Sequence, residues 1–152
     1  MLFTTYQPDL NWENPEVRHA VHDILRFWID KGACGFRMDV INLILKDQSF
    51  ADAKIVDASR PYQVGSYYFA NRPKLLDYLQ EMKCEVLSKH DLLTVGEMPF
   101  LSDESKILEI VKAEEGLLNM IFTFELMSLD VVPGDGKFSF KPWCVRDLSE
   151  II

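Results

Sequence analysis

Cysteine is scarce in this sequence, and what there is does not pair. Cys34, Cys84 and Cys144 are far apart and odd in number. They form neither a Cys-x-x-Cys pair nor the Cys/His spacing of a zinc site, so buried, reduced thiols in a cytoplasmic protein are expected. Positive charge is also short: 16 Lys and Arg stand against 24 Asp and Glu, a net charge of −8. That balance offers no basic footprint for nucleic acid or for an anionic membrane. Long apolar runs are missing, and none approaches the ~20 residues of a membrane-spanning helix. Residues Met1 to Thr5 lack the charged start and apolar core of a secretory signal. His19 and His22 lie three apart on a polar helix face with no third ligand placed near them. They read as solvated imidazoles, and no metal is expected.

What is present reads as one globular domain. The chain of 152 residues is 48% hydrophobic and 26% charged, ordinary values for a packed domain. The most informative stretch is Gly35 to Ile41. Apolar, strand-favouring residues there surround one arginine and one aspartate. Strand side chains alternate, so Arg37 and Asp39 share a face while Met38 and Val40 take the other. An ion pair at the end of an otherwise apolar strand is costly to bury. Catalysis is one reason to keep it, with the arginine holding the aspartate by two hydrogen bonds. A buried pair that merely sets register is the other reading, and this stretch alone does not separate them.

A second stretch separates them. Thr94 to Pro99 closes another short apolar run on a lone carboxylate, Glu97, and Pro99 stops the strand. Between the two runs, Pro73 to Lys89 reads as a helix. Parallel strands joined by a crossover helix carry their sites at the carboxyl ends of the strands. Neighbouring strands lie about 4.8 Å apart. Asp39 and Glu97 would then face each other near the ~5–5.5 Å carboxyl separation of retaining glycosidases. A lone Glu97 would read as a solvated strand end; the pair in register favours chemistry.

The remaining elements alternate in the same way. Asn14 caps a helix with Pro15 and Glu16 in its first turn. Val17, Ala20, Val21, Ile24, Leu25 and Trp28 form its apolar stripe, and Gly32 ends it. Residues 42–72 show no period and make a long βα loop, one wall of a site. Its Tyr67, Tyr68 and Phe69 offer a sugar-stacking surface or pack the loop down, the latter expected of at least two. The helix from Pro73 buries Leu75, Leu76, Leu79, Met82, Val86 and Leu87. Ser102 caps the next, whose buried face is Ile107, Leu108 and Val111. Leu117 to Leu126 reads as a third strand, Gly134-Asp135-Gly136 as a turn, and Val145 to Ile152 as a further helix.

Four motifs in order then match a known family. QPDLNW at Gln7–Trp12, GFRMDVINLI at Gly35–Ile44, TVGEMP at Thr94–Pro99 and MIFTFELMSLD at Met120–Asp130 closely resemble the oligo-1,6-glucosidase and α-glucosidase branch of the α-amylase-type glycoside hydrolases. The resemblance implies an α/β fold, an incomplete (β/α)8 TIM barrel comprising roughly strands 4 to 6 with their helices. Residues 1–152 would be a fragment of the catalytic barrel, with 42–72 as a long βα loop. It implies Asp39 as nucleophile, Glu97 as general acid/base and Arg37 as the residue that orients the nucleophile. Val40 would contact substrate at the rim, because members favouring α-1,6 links usually carry valine there.

The implied activity is that of a retaining exo-acting α-glucosidase on terminal α-1,6 bonds of short oligosaccharides, with α-1,4 bonds as poorer substrates and no cofactor. A maltase, a trehalose-6-phosphate hydrolase and a non-catalytic barrel relative serving as a binding subunit are the alternatives. The family's substrate-binding Asn-His motif and its third carboxylate, in an Asn-His-Asp motif, have no match here. Arg72 stands where relatives often have glycine. The chain by itself is expected to be inactive, and to aggregate or stay molten unless it self-associates through open barrel edges.

Overall fold

A computed structural model describes residues 4, 6–122, 124–132, 139–149 and 151. The expected turn at Gly134–Gly136 and the opening residues Met1 to Phe3 lie outside the described residues.

Helix α1 spans Pro15–Asp30. Asn14 Oδ1 accepts from the Glu16 N–H at 3.0 Å, and Pro15 sits where no amide is needed. Its end is a Schellman motif: Gly32 N–H donates to Ile29 O at 2.8 Å and Ala33 N–H to Trp28 O at 3.0 Å. Gly32 has φ +94°, a conformation glycine adopts freely. Strand β1 follows at Gly35–Met38.

Helix α2 is Leu75–Glu85, two residues shorter at its start than expected, because residues 73 and 74 form a turn. It breaks at Val86 and continues as a 3₁₀ turn over Leu87–Lys89. Strand β2 is Leu93–Glu97, and α3 is Glu104–Val111. The α3 cap is Asp103, not Ser102: its carboxylate accepts from the Ser105 N–H at 3.1 Å. Ile110 is the residue α3 buries, while Leu108 is 61% exposed, against expectation.

Strand β3 is only Met120–Phe122. Leu117 and Leu118 do not join the ladder, because both their N–H groups donate to Ile110 O, at 2.7 and 2.9 Å. Leu126–Ser128 is a 3₁₀ turn. Helix α4 spans Val145–Ser149.

The three strands make one parallel sheet in the order β1-β2-β3. Gly35 pairs with Leu93 and Met38 with Gly96; Val95 pairs with Met120 and Glu97 with Phe122. Thr94 and Asn119 lock the third strand's register by reciprocal bonds: Thr94 N–H to Asn119 Oδ1 at 2.8 Å and Asn119 N–H to Thr94 Oγ1 at 3.0 Å. The core lies against this sheet and includes Leu79, Met82, Met98, Leu101 and Ile110.

Helix α1 is turned differently from its apolar stripe. His22 is 1% exposed, not solvated, while Ile24 and Trp28 are 56% and 53% exposed. Polar contacts with α2 go with this facing. Arg18 Nε donates to the Glu81 carboxylate at 2.7 Å and Arg26 donates to the backbone carbonyl of Glu85 at 3.2 Å, both on α2. These contacts hold the Arg18–His22–Arg26 side of α1 against α2 and leave the Ile24–Trp28 flank outside. The cysteines depart from expectation as well: Cys34, Cys84 and Cys144 are all exposed thiols.

Candidate active site

The ladder between β1 and β2 ends with Met38 opposite Gly96; β1 stops there, and β2 runs one residue further to Glu97. Asp39 and Glu97 are the next residues on each chain. Both therefore sit at the carboxyl edge of the sheet, where β/α folds collect their chemistry. Gly35 permits this register: a Cβ there would lie 2.3 Å from Leu93 O.

Arg37 joins the two acids. Its Nη1 bonds Asp39 Oδ1 and its Nη2 bonds Glu97 Oε2. Two hydrogen bonds to the aspartate alone were expected; the guanidinium fork is instead divided between the carboxylates. Their settings differ, since the Asp39 side chain is 72% exposed and that of Glu97 17%. The Val40 N–H also faces Glu97 Oε2, at 3.4 Å.

Val40 breaks the strand. It has φ 38° and ψ 45°, a left-handed conformation that a β-branched residue adopts only under constraint. Strand alternation would send Val40 behind the sheet, away from Asp39. The left-handed turn cancels that alternation. Val40 and Asp39 line one cleft of about 400 Å³ with Pro8, Leu10, Trp12 and Lys46. The 7–12 motif thus reaches the same cleft. Lys46 is held there by Asp9 at 2.8 Å.

A second cleft of about 580 Å³ shares Pro8, Asp9 and Lys46 with the first and runs along the 42–72 loop past Phe50, Tyr68 and Phe69. The loop is fastened at its root. Asp47 N–H donates to Tyr68 O at 2.8 Å, and Arg72 bonds Asp47 Oδ2 at 2.8 Å and Tyr67 O at 3.0 Å. The Ser49 hydroxyl and amide, with Arg72, hold the Asp47 carboxyl below its usual range. Tyr67 and Tyr68 lie 4.3 Å apart, and the Tyr67 hydroxyl accepts from the Lys54 N–H at 2.9 Å. These two pack the loop, and Tyr68 together with Phe69 also lines the second cleft. A separate depression of about 370 Å³ lies at the amino ends of the strands, beside Thr94 and Asn119, away from the carboxylates.

Sequence reasoning passed over Asn42. It is 0% exposed, and its Nδ2 donates to Asn71 Oδ1 at 2.8 Å and to Pro99 O at 2.5 Å. A lone amide between Ile41 and Leu43 in an apolar run was the available signal. Among the described residues no cluster of three or more His, Cys, Asp or Glu is placed to hold a metal.

A parallel β/α array with a carboxylate ending each of two adjacent strands is the arrangement of barrel hydrolase sites. The family described as alpha amylase, catalytic domain, matches residues 1–152, and the chain belongs to it. It is 46% identical over 149 residues to an α-glucosidase of Schizosaccharomyces pombe and 47% identical over 149 to an oligo-1,6-glucosidase of Parageobacillus thermoglucosidasius. Each alignment covers 98% of this chain and 26% of the relative, so the chain spans about a quarter of the relatives' length. Among solved structures, the trehalose-6-phosphate hydrolase of Bacillus licheniformis matches with a TM-score of 0.80 and 35% identity, over 97% of this chain and 25% of that one.

Proposed function

We propose that this chain forms strands four to six, with their helices, of a (β/α)8 barrel, and that it carries the two reacting carboxylates of a retaining exo-acting α-glucosidase. The observation that supports this most is that Asp39 and Glu97 directly follow the last paired residues, Met38 and Gly96, of adjacent parallel strands and are spanned by Arg37.

Asp39, the more open acid, attacks the anomeric carbon. Glu97, the more enclosed one, gives its proton to the leaving oxygen as the glycosidic bond breaks. Glu97 then takes a proton from water, whose oxygen displaces Asp39 and releases glucose. Arg37 keeps Asp39 oriented for attack, and when Glu97 holds its proton on one oxygen the other can still accept from Arg37. Val40 narrows the cleft directly beside the nucleophile. An α-1,6 link has one more rotatable bond than an α-1,4 link and bends round it, so short α-1,6 oligosaccharides are the preferred substrates.

A phosphorylated disaccharide is the less favoured substrate. Lys46 is the one lysine or arginine lining either cleft among the described residues, and Asp9 already engages it. The exposed free thiols suit a reducing, cytoplasmic setting. Among the described residues no helix is long and apolar enough to cross a membrane. Glucose release from isomaltose, maltose and trehalose 6-phosphate, by a complete barrel carrying this segment, tests the reading. Isomaltose is expected to be cleaved fastest; no release from any of the three overturns it.

A further inference from the structure

The backbone ladder between β1 and β2 ends at Met38 and Gly96, one residue short of the carboxylates. Past that point the β1 chain turns at Asp39 and Val40, while β2 runs one residue further and stays paired with β3 through Glu97 and Phe122, so no β1–β2 backbone pair sets the spacing of Asp39 from Glu97. Asn42, three residues after Asp39, reaches across to Pro99, two residues after Glu97. Its other Nδ2 hydrogen goes to Asn71, at the far end of the 42–72 loop. Asn71 answers twice: its N–H donates to Asn42 O at 3.1 Å, and its Nδ2 donates to Phe100 O at 2.6 Å. One buried amide thus ties together the exits of both strands and the return of the loop. We infer that Asn42 is a positioning residue that holds Asp39 and Glu97 at their working separation.

Three further features agree. First, the orientation of the amide is determined by its surroundings. Both groups it faces, Pro99 O and Asn71 Oδ1, are acceptors, so the nitrogen must point at them. Second, the Asn42 Oδ1 is then left buried with no hydrogen-bond partner. A leucine or methionine in the same apolar turn would avoid that penalty, so packing alone does not call for asparagine here. Third, Val40, Asn71 and Phe100 have φ of 38°, 50° and 62°. These are three of the five non-glycine residues with positive φ among the described residues, and each lies in or within two residues of the clamp's members; Phe50 and Glu114 lie elsewhere. Strained backbone persists where the surrounding bonds over-determine it, and such strain gathers at functional sites.

This inference rests on the glucosidase reading for its catalytic part and on geometry for the rest, so the test has two arms. The protein used is a complete barrel carrying this segment. Asn42→Asp is nearly isosteric but sets a carboxylate against two acceptors; Asn42→Ala removes the clamp. For p-nitrophenyl α-glucoside, kcat is expected to fall by about 100-fold, the scale of a 1 Å misplacement, with KM within about threefold. Asn71→Gly keeps the left-handed backbone while removing the side-chain bonds. It is expected to lower kcat in the same direction but less, and it carries the test if both Asn42 variants fail to fold. A folded variant with kcat near wild type, or a loss confined to KM, overturns the inference. The second arm is a crystal structure of the Asn42→Asp barrel. A displacement of Glu97 relative to Asp39 supports the clamp even if the wild type cleaves no glucoside, in which case only the glucosidase reading fails. An unmoved pair of carboxylates overturns the clamp.

Discussion

Three side chains, Arg37, Asp39 and Glu97, carry the chemistry proposed for this chain, and the nucleophile Asp39 has the most direct expected phenotype. In a complete barrel, Asp39→Ala leaves no atom to form the glycosyl intermediate, so turnover is expected to vanish. Azide is expected to restore part of it by entering the vacated space as a small nucleophile. Activity within a few-fold of wild type would remove Asp39 from the mechanism. Val40 makes a subtler prediction. Methyl-scale shape differences in a pocket are worth about 1–3 kcal/mol, or roughly 10–200-fold. Val40→Thr is expected to lower the ratio of kcat/KM for isomaltose over maltose; an unchanged ratio would place linkage choice elsewhere. Asp39, Glu97 and Arg37 were legible because strand alternation and strand ends are written in adjacent residues. The division of Arg37 between two acids was not, since it depends on a partner 60 positions away.

The elements owe their ends to local chemistry and their facing to one another. Asn14, Pro15 and Gly32 bound α1 as their residue types dictate. Which side of α1 is covered depends on α2. Burial lowers the pKa of His22 below its ordinary value, with Glu81 and Glu85 opposing that and Arg26 and His19 adding to it. An imidazole that stays neutral in the fold but protonates when unfolded contributes stability above pH ~6.5, which is lost as pH falls through the lowered value. Between pH 7 and 5, stability of the barrel is expected to drop, and His22→Leu to flatten that limb; identical limbs would refute the assignment. The strands give a second test. A Cβ on Gly35 would meet the Leu93 carbonyl at 2.3 Å, whereas one on Gly96 would meet the Leu118 methyl at 2.7 Å. Backbone cannot yield as a side-chain tip can. Gly96→Ala is expected to cost about 1–3 kcal/mol by denaturant unfolding, and Gly35→Ala more than that.

At the scale of the whole molecule, the chain leaves much of its apolar surface uncovered. A compact monomer would expose about 7,900 Å² at a mass of 17.6 kDa, whereas this chain exposes 10735 Å². Ile24, Phe27 and Trp28 on α1, and Met120 and Phe122 on β3, are among the exposed residues. Each Å² of apolar area left in water forgoes about 25 cal/mol. The 152-residue polypeptide by itself is therefore expected to unfold over a broad range, bind hydrophobic dyes or self-associate. A sharp, concentration-independent transition of a dilute monomer would contradict this.

The sequence by itself determined the alternation of helix and strand, both ends of α1, the two carboxylates at strand ends and membership of the family, because each is carried by neighbouring residues or by short motifs. The tertiary structure decided the rest. It buried His22 and exposed Trp28 where Arg18 meets Glu81, 63 residues apart. It cut the third strand to Met120–Phe122 by fastening Leu117 and Leu118 to Ile110. It turned Val40 into the Asp39 cleft and set Asn42 against Pro99, 57 residues on. Each of these outcomes is a contact between distant segments, and no local pattern states which distant group will arrive.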